Sequence, residues 1–369
     1  MRILHIVTKA DVGGAQTHVL ELATAQSARG HEVSIAAGSL GPMAEEAARR
    51  GLTVHEESSL RRELGGLAEL KVVRNLGQRM SELAPDVVHA HSSKAGVLAR
   101  VAARRARIPC VYTAHGWPFQ AGAALPQRLV SWAGEAAMGH WWGEVICLTE
   151  AEAQRARRGL VVPRRRLHIV PNGLPDVPVA QRADLAPRDP DRPITIVMVA
   201  RFAPPKAQRA VLDALTRMSP AGWEMHFVGD GPEFDAVRRH ADGCGLGDRV
   251  RFLGHRDAAA DVLPTADIAL LWSRYEGMPL ALMEAMRAGV ACVANDLPGV
   301  RVLFGEHGGL IAQFDTVALV DALTALIGDA PRRVQLAAAA RRRYEECFTI
   351  DRVERAVMDV YLQAVSARR

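Results

Sequence analysis

Short apolar runs and helix-length amphipathic segments alternate along this chain from its first residue. Residues 3–8, 33–38, 53–57, 86–92, 110–116, 145–149 and 167–171 are rich in β-branched and aliphatic side chains and read as strands. The segments between them are long enough for helical crossovers, so the first half predicts a doubly wound parallel sheet. The rhythm stops over residues 174–193, a polar stretch with prolines at 175, 178, 187, 190 and 193, which is the composition of a linker. It restarts with ITIVMVAR at 194–201, continues through 225–232 and 250–255, and reaches a strand–helix–strand unit over 267–273, 276–285 and 290–295. The last segment, 350–364, has apolar residues at helical spacing and is expected to cross back onto the first half. The expected organisation is an N-terminal domain over 1–173, a linker over 174–193, a second domain over 194–345 and a returning helix within 346–369.

The rest of the chain is organised around EGMPLALMEA, residues 276–285. Gly277 loosens the turn before a helix, and Pro279 suits the first helical position, where a missing N–H costs nothing. Backbone N–H groups from Gly277 to Ala281 would then point above the sheet edge, a natural site for phosphate. Glu276 precedes the helix and Glu284 lies within it. Carboxylates repel phosphate but accept well from sugar hydroxyls. Free N–H groups beside two carboxylates suit a nucleotide sugar.

Glu276, the seven residues after it and Glu284, inside EGMPLALMEAMRAGV, resemble the Glu-x7-Glu signature of retaining family 4 glycosyltransferases of the GT-B fold. That fold implies α/β architecture, with two Rossmann-like doubly wound domains facing each other across a cleft. Other segments resemble the same family. Gly13 and Gly14 match a glycine pair near the donor phosphates. His115 in CVYTAHGWPF matches a histidine beside the transferred sugar. Asn172 lies in a PNG turn at the domain junction. Arg201 and Lys206 match an Arg-x4-Lys pair that neutralises the leaving diphosphate, although Ala200 and Ala207 stand where glycine is usual. Leu253 and Gly254 correspond to the backbone walling the base pocket. Pro298 and Val302 depart from a pattern with a glycine pair and a glutamate, so no role passes to that glutamate.

The resemblance implies that Glu284 takes the ribose hydroxyls and Glu276 the hydroxyls of the transferred sugar. Arg201, Lys206 and the helix N–H groups of Gly277, Met278 and Leu280, about Pro279, would hold the diphosphate without a metal or other cofactor. The expected reaction is hexosyl or N-acetylhexosaminyl transfer from a UDP-sugar, with GDP-sugar next. The acceptor expected is a saccharide, from the likeness of residues 92–119 to transferases that build bacterial surface polysaccharides on polyprenyl-diphosphate carriers.

Composition trims the alternatives. At 369 residues the chain suits two domains. No apolar run approaches a membrane span, and the N-terminus lacks the pattern of a signal peptide, so a cytoplasmic location is expected. The five cysteines form no CxxC pair and read as reduced thiols. Residues 1–180 carry a net +6 and the remainder −1, with arginine clusters at 100–107 and 155–166. These are solvated helix faces or a contact for anionic lipid; with aromatics at 5% and no RNA- or DNA-binding motif, nucleic acid is not an expected partner. Residues 117–142 hold four of the six tryptophans, either a core helix or an element dipping into the inner face of the plasma membrane. His89 and His91 share one strand face without an evident third ligand, which favours a polar wall over a metal. The glycine turn is not a GxGxxG fingerprint, which weighs against a dehydrogenase. A nucleotide-sugar epimerase and a non-catalytic nucleotide-sugar-binding protein of the same fold remain as alternatives.

Overall fold

The computed structural model describes all residues except 12, 62–66, 118, 120–124, 178–191, 220, 255–258 and 368–369. The linker expected at 174–193 falls largely outside the described residues. The chain divides into two compact units, Met1–Pro175 with Ile350–Arg369, and Asp176–Thr349.

In the first unit, strands β1 (Arg2–Val7), β2 (Glu32–Ala37), β3 (Thr53–Glu56), β4 (Val87–His91), β5 (Cys110–Ala114), β6 (Glu144–Cys147) and β7 (Leu167–Ile169) form a parallel sheet in the order β3-β2-β1-β4-β5-β6-β7. The crossovers are α1 (Gly14–Ala28), α2 (Pro42–Arg49), α3 (Leu67–Leu83), α4 (Ser93–Ala106), α5 (Leu125–Trp141) and α6 (Glu150–Arg158). Every residue of β4 and β5 is buried, as expected of central strands covered on both faces. The start of α4 is held by Ser92, whose hydroxyl accepts from the Ala95 amide, and that of α6 by Thr149, which accepts from Glu152.

The second unit holds β8 (Ile194–Val199), β9 (Trp223–Val228), β10 (Val250–Phe252), β11 (Ile268–Leu271), β12 (Ala291–Asn295) and β13 (Leu310–Ala312), paired in parallel in the order β10-β9-β8-β11-β12-β13. Its helices are α7 (Gln208–Leu215), α8 (Phe234–Gly243), α9 (Ala259–Val262), α10 (Leu280–Ala288), α11 (Pro298–Phe304), α12 (Thr316–Ile327) and α13 (Ala330–Cys347).

The last helix, α14 (Ile350–Ser366), belongs to the first unit. Its Val353, Val357, Val360 and Tyr361 pack with Ile3, Val87, Val111 and Ile146 of the sheet and Leu22 of α1. Arg29 at the end of α1 ion-pairs with Glu354 and, at 2.8 Å, with Asp351.

One expectation from charge fails locally. Arg100 is not on a solvated face. It is fully buried, 2.7 Å from the Glu135 carboxylate, and its Nε donates to the Gly96 carbonyl at 2.7 Å. A buried guanidinium needs such partners, and the pattern of arginines alone does not show which of them has one.

Candidate active site

In the second unit the strand order reverses between β8 and β11, and the loops leaving these strands carry the predicted cations and the first carboxylate. The loop after β8 is pinned through its backbone. Ala200 donates to the Val228 carbonyl and Phe202 to that of Asp230, both at 2.9 Å, while Ala207 donates to Trp272 and Arg274 to Pro205, both at 3.0 Å. Gly229 at φ +140° and Gly231 at φ +153° make this approach possible; a Cβ would stand 2.1 Å from the Ala200 oxygen or 2.5 Å from that of Phe202. The Arg201 carbonyl accepts from buried Gln208 at 3.0 Å. Its guanidinium is exposed and makes no hydrogen bond or ion pair among the described residues.

Lys206 ion-pairs with Glu276, the two side chains 17% and 13% exposed. Behind Glu276, the Asn295 amide bonds both the N–H and the carbonyl of Ser273 at 2.9 Å, and the Ser273 hydroxyl donates to the Tyr275 carbonyl at 3.0 Å. Pro279 is not the first helical residue. It is the N-cap of α10, with φ −73° but an extended ψ of 112°, because the proline ring fixes only φ. The amides that the helix leaves unsatisfied are therefore those of Leu280, Ala281 and Leu282, and no acidic residue stands in the first turn. Glu284 is half-buried one turn on, while Met278 and Leu280 are buried. Gly277 is fixed from outside, since a Cβ on Gly299 would fall 1.9 Å from its carbonyl oxygen. Leu253 donates to Phe227 at 2.9 Å, and Gly254, at φ +67°, accepts from Gly229 at 2.8 Å, which sets both beside the loop of Arg201.

The first unit reverses between β1 and β4. Gly13 is the N-cap of α1 and Gly14 its first residue, with no side chain capping the helix. Strand register sets His5 beside His89 and His91 beside Thr113. His115 follows β5, half-buried, before Gly116 at φ +117°. Its Nε2 lies 3.2 Å from His91 Nδ1, His91 Nε2 lies 3.0 Å from His5 Nδ1, and His5 Nε2 lies 2.8 Å from Gln26 Oε1. His89 sits between the Tyr361 hydroxyl at 2.7 Å and Thr113 at 2.8 Å. His18 of α1 packs edge-on against His115, and its buried Nδ1 has no partner. Burial pushes His5 and His115 down to about 4, and burial with neighbouring imidazoles pushes His18, His89 and His91 well below the usual histidine value. All five are neutral at pH 7. Asn172 is buried two residues before Leu174, whose carbonyl takes the Ile350 amide at 2.8 Å.

Residues 13–173 match the family described as Glycosyl transferase 4-like domain, and residues 193–329 match Glycosyl transferases group 1. The D-inositol 3-phosphate glycosyltransferase of Xylanimonas cellulosilytica is 31% identical, over 97% of this chain and 93% of its own. This chain belongs to the family 4 glycosyltransferases. The UDP-Gal:alpha-D-GlcNAc-diphosphoundecaprenol alpha-1,3-galactosyltransferase of Escherichia coli is 26% identical over 83% of each chain. Among solved structures, HepE of Anabaena in complex with UDP and glucose superposes with a TM-score of 0.83 at 19% identity, covering 97% of this chain and 98% of that one. WaaG, a glycosyltransferase involved in lipopolysaccharide biosynthesis, gives 0.72 at 15%, covering 96% and 98%. The fold is GT-B.

The structure of this glycosyltransferase adds residues to those the sequence offered. His5 and His18 join the histidines of β4, giving the triads His5–His89–His91 and His18–His91–His115, each with nitrogens within 4.8 Å of one another. The signal was present in register: His5 is the third residue after the paired position of Arg2, level with His89. Gln208, Asn295 and Gly299 act through backbone contacts that a sequence does not display.

Two outcomes test this geometry. Gly299→Ala is expected to displace Gly277, costing about 1–3 kcal/mol in chemical denaturation and weakening nucleoside diphosphate binding by calorimetry. Unchanged binding would mean the Gly277 turn is not held from α11. The histidines make stability acid-sensitive: their folded values lie below the unfolded 6.5, so the unfolded chain binds more protons as pH falls through 6.5. Stability from a neutral His5 is complete above that pH and declines toward 4. The stability gap between the native protein and His5→Gln should therefore narrow by about 2 kcal/mol from pH 7.5 to 5, measured by urea unfolding at each pH.

Proposed function

We propose that this glycosyltransferase moves a hexosyl or N-acetylhexosaminyl group from a nucleoside diphosphate sugar to a saccharide hydroxyl, with retention of anomeric configuration. The observation that carries this is the Lys206–Glu276 pair beside the uncapped start of α10, with Arg201 exposed on the adjoining loop. In this reading the Arg201 guanidinium, the Lys206 ammonium and the amides of Leu280 to Leu282 hold the diphosphate, Glu276 the sugar and Glu284 the ribose. Leu253 and Gly254 wall the base, and His115 accepts from a sugar hydroxyl. As the anomeric C–O bond breaks, negative charge grows on the diphosphate, and the prearranged donors lower the barrier; one such donor is worth about 3–4 kcal/mol. The acceptor oxygen bonds to the anomeric carbon and its proton passes to a phosphate oxygen. Two cations and a helix terminus stand where another design would use a metal.

A UDP-sugar is the favoured donor, with GDP-sugar next, and a polyprenyl-diphosphate-linked saccharide is the favoured acceptor. Both follow the names of the similar proteins: HepE was solved with UDP, and the E. coli relative is named for UDP-Gal and a diphosphoundecaprenol acceptor. Such an acceptor places the enzyme at the cytoplasmic face of a membrane. No described helix is long and apolar enough to cross one. A peripheral contact through α5 fits that role. Trp117 and Trp142 pack into the core, but Leu129, Val130, Trp132 and Trp141 are 58%, 74%, 40% and 42% exposed.

Calorimetry with UDP, GDP, TDP, ADP and NAD, with and without EDTA, tests the site. Micromolar binding of one nucleoside diphosphate, untouched by EDTA, is expected; binding of NAD alone, or a strict metal requirement, would refute the reading. Glu276→Ala and Lys206→Ala should each reduce transfer at least a hundredfold with the fold intact by circular dichroism. Nucleotide binding without transfer or hydrolysis in the native protein would favour the non-catalytic alternative, and interconversion of free donors the epimerase. Flotation with anionic liposomes should carry the protein upward, and Trp132→Glu with Val130→Glu should abolish this; no flotation of the native protein would remove the membrane contact.

A further inference from the structure

The histidines of the first unit form a directed row rather than a loose cluster. Its far end is Gln26, buried on α1, with Oε1 toward His5 and Nε2 toward the Tyr361 hydroxyl at 3.4 Å. An amide oxygen only accepts, so His5 Nε2 carries the proton and His5 Nδ1 presents its lone pair. His91 Nε2–H donates to that lone pair, which leaves His91 Nδ1 bare to accept from His115 Nε2–H. Each neutral ring has one donor and one acceptor, so a single amide orientation sets every proton along the row. With that orientation the Tyr361 hydroxyl takes the Gln26 N–H and donates on to His89.

We propose that Gln26, His5 and His91 are positioning residues that fix His115 with its proton on Nε2 and its lone pair on Nδ1, ready to accept from a hydroxyl of the bound sugar. This rests on the assignment of His115 to the sugar site made above. The low proton affinity of all three rings keeps the row neutral, and an imidazolium at His5 or His91 would break its direction.

A metal ion is the competing occupant. Tetrahedral zinc at about 2.0–2.1 Å from each nitrogen holds its ligand atoms about 3.4 Å apart. The ligand atoms of His18, His91 and His115 lie within 4.8 Å of one another, and His91 Nδ1 and His115 Nε2 already face each other at 3.2 Å as hydrogen-bond partners. The hydrogen-bonded row accounts for the contacts as they stand.

Long-range proton–nitrogen correlation spectra of the full-length protein with [15N]histidine read the tautomers directly. His115 is identified by its loss in His115→Gln. Native His115 is expected as the Nε2–H form from pH 6 to 8. An Nδ1–H form or an even mixture overturns the proposal, as does stoichiometric zinc that survives dialysis and removes the Nε2–H signal. Gln26→Glu then tests the coupling from three links away. A buried carboxylate beside His5 draws a second proton onto that ring, so His5 Nδ1–H now donates to His91 and the row reverses. The His115 proton should move to Nδ1, and kcat should fall roughly a hundredfold with nucleoside diphosphate binding unchanged. A folded Gln26→Glu protein with the native His115 tautomer sinks the coupling, and should that variant not fold, the native spectrum still decides. The two readings fail separately: full transfer by His115→Ala removes His115 from the sugar site whatever its tautomer, and the wrong tautomer removes the row whatever His115→Ala does.

Discussion

A sheet whose strands all run one way places every carboxyl end on the same edge, and where the strand order reverses, neighbouring connections leave toward opposite faces. Both units of this protein obey that constraint, and the residues of the proposed site stand there. In the first, the reversal between β1 and β4 sets His5, His89 and His91 on adjacent strands with His115 just beyond β5. In the second, the reversal between β8 and β11 brings the loop of Arg201 and Lys206 against the loop of Glu276. Neither site depends on long excursions from the sheet. Each is built from the first few residues after a strand, where strand register already determines position to within one residue.

The constraint explains why glycine matters where it does. Bringing two loops to hydrogen-bond distance above a sheet edge leaves no room for a Cβ at the points of contact, and Gly229, Gly231 and Gly299 occupy those points. The contacts they permit are to carbonyl oxygens of Ala200, Phe202 and Gly277, so they order backbone rather than side chains. Lys206 and Glu276 then meet as an ion pair that is mostly out of water, a pairing that removal of either partner would leave as an isolated, poorly solvated charge. Prearranged charge of this kind costs little reorganisation when a charged ligand arrives.

Much of the architecture was legible in the sequence, because burial on both faces makes parallel strands read as continuous apolar runs. The seven runs of the first half coincide with β1 to β7, with ends differing by one or two residues. The helix after Glu276 was legible for a different reason, from the glycine and proline before it and the likeness of Glu-x7-Glu to the family signature. What was missed depended on tertiary contact. Pro279 gave a sound φ but said nothing of ψ, so the helix begins one residue later than expected. Arg100 looked like its neighbours 104, 105 and 107 until Glu135 came to it across the core from α5. His5 sat inside an ordinary apolar strand, and its chemistry is visible only when β4 lies alongside.

The two units present different kinds of group. The second presents permanent charges, arginine, lysine and glutamate, where the proposed reaction separates charge between a departing diphosphate and an electron-poor sugar ring. The first presents imidazoles held neutral by burial. A cation beside the anomeric carbon would oppose the positive charge that grows there as the bond to the diphosphate lengthens, whereas a neutral ring offers a lone pair with no such penalty. Ordinary solvent exposure would leave a histidine near its usual value, partly charged at neutral pH and free to turn. Packing His5, His89 and His91 against one another and against Gln26, Thr113 and Tyr361 restricts both freedoms, because both nitrogens of each of these rings already face a partner. The arrangement is acid-sensitive for the same reason that it is directional.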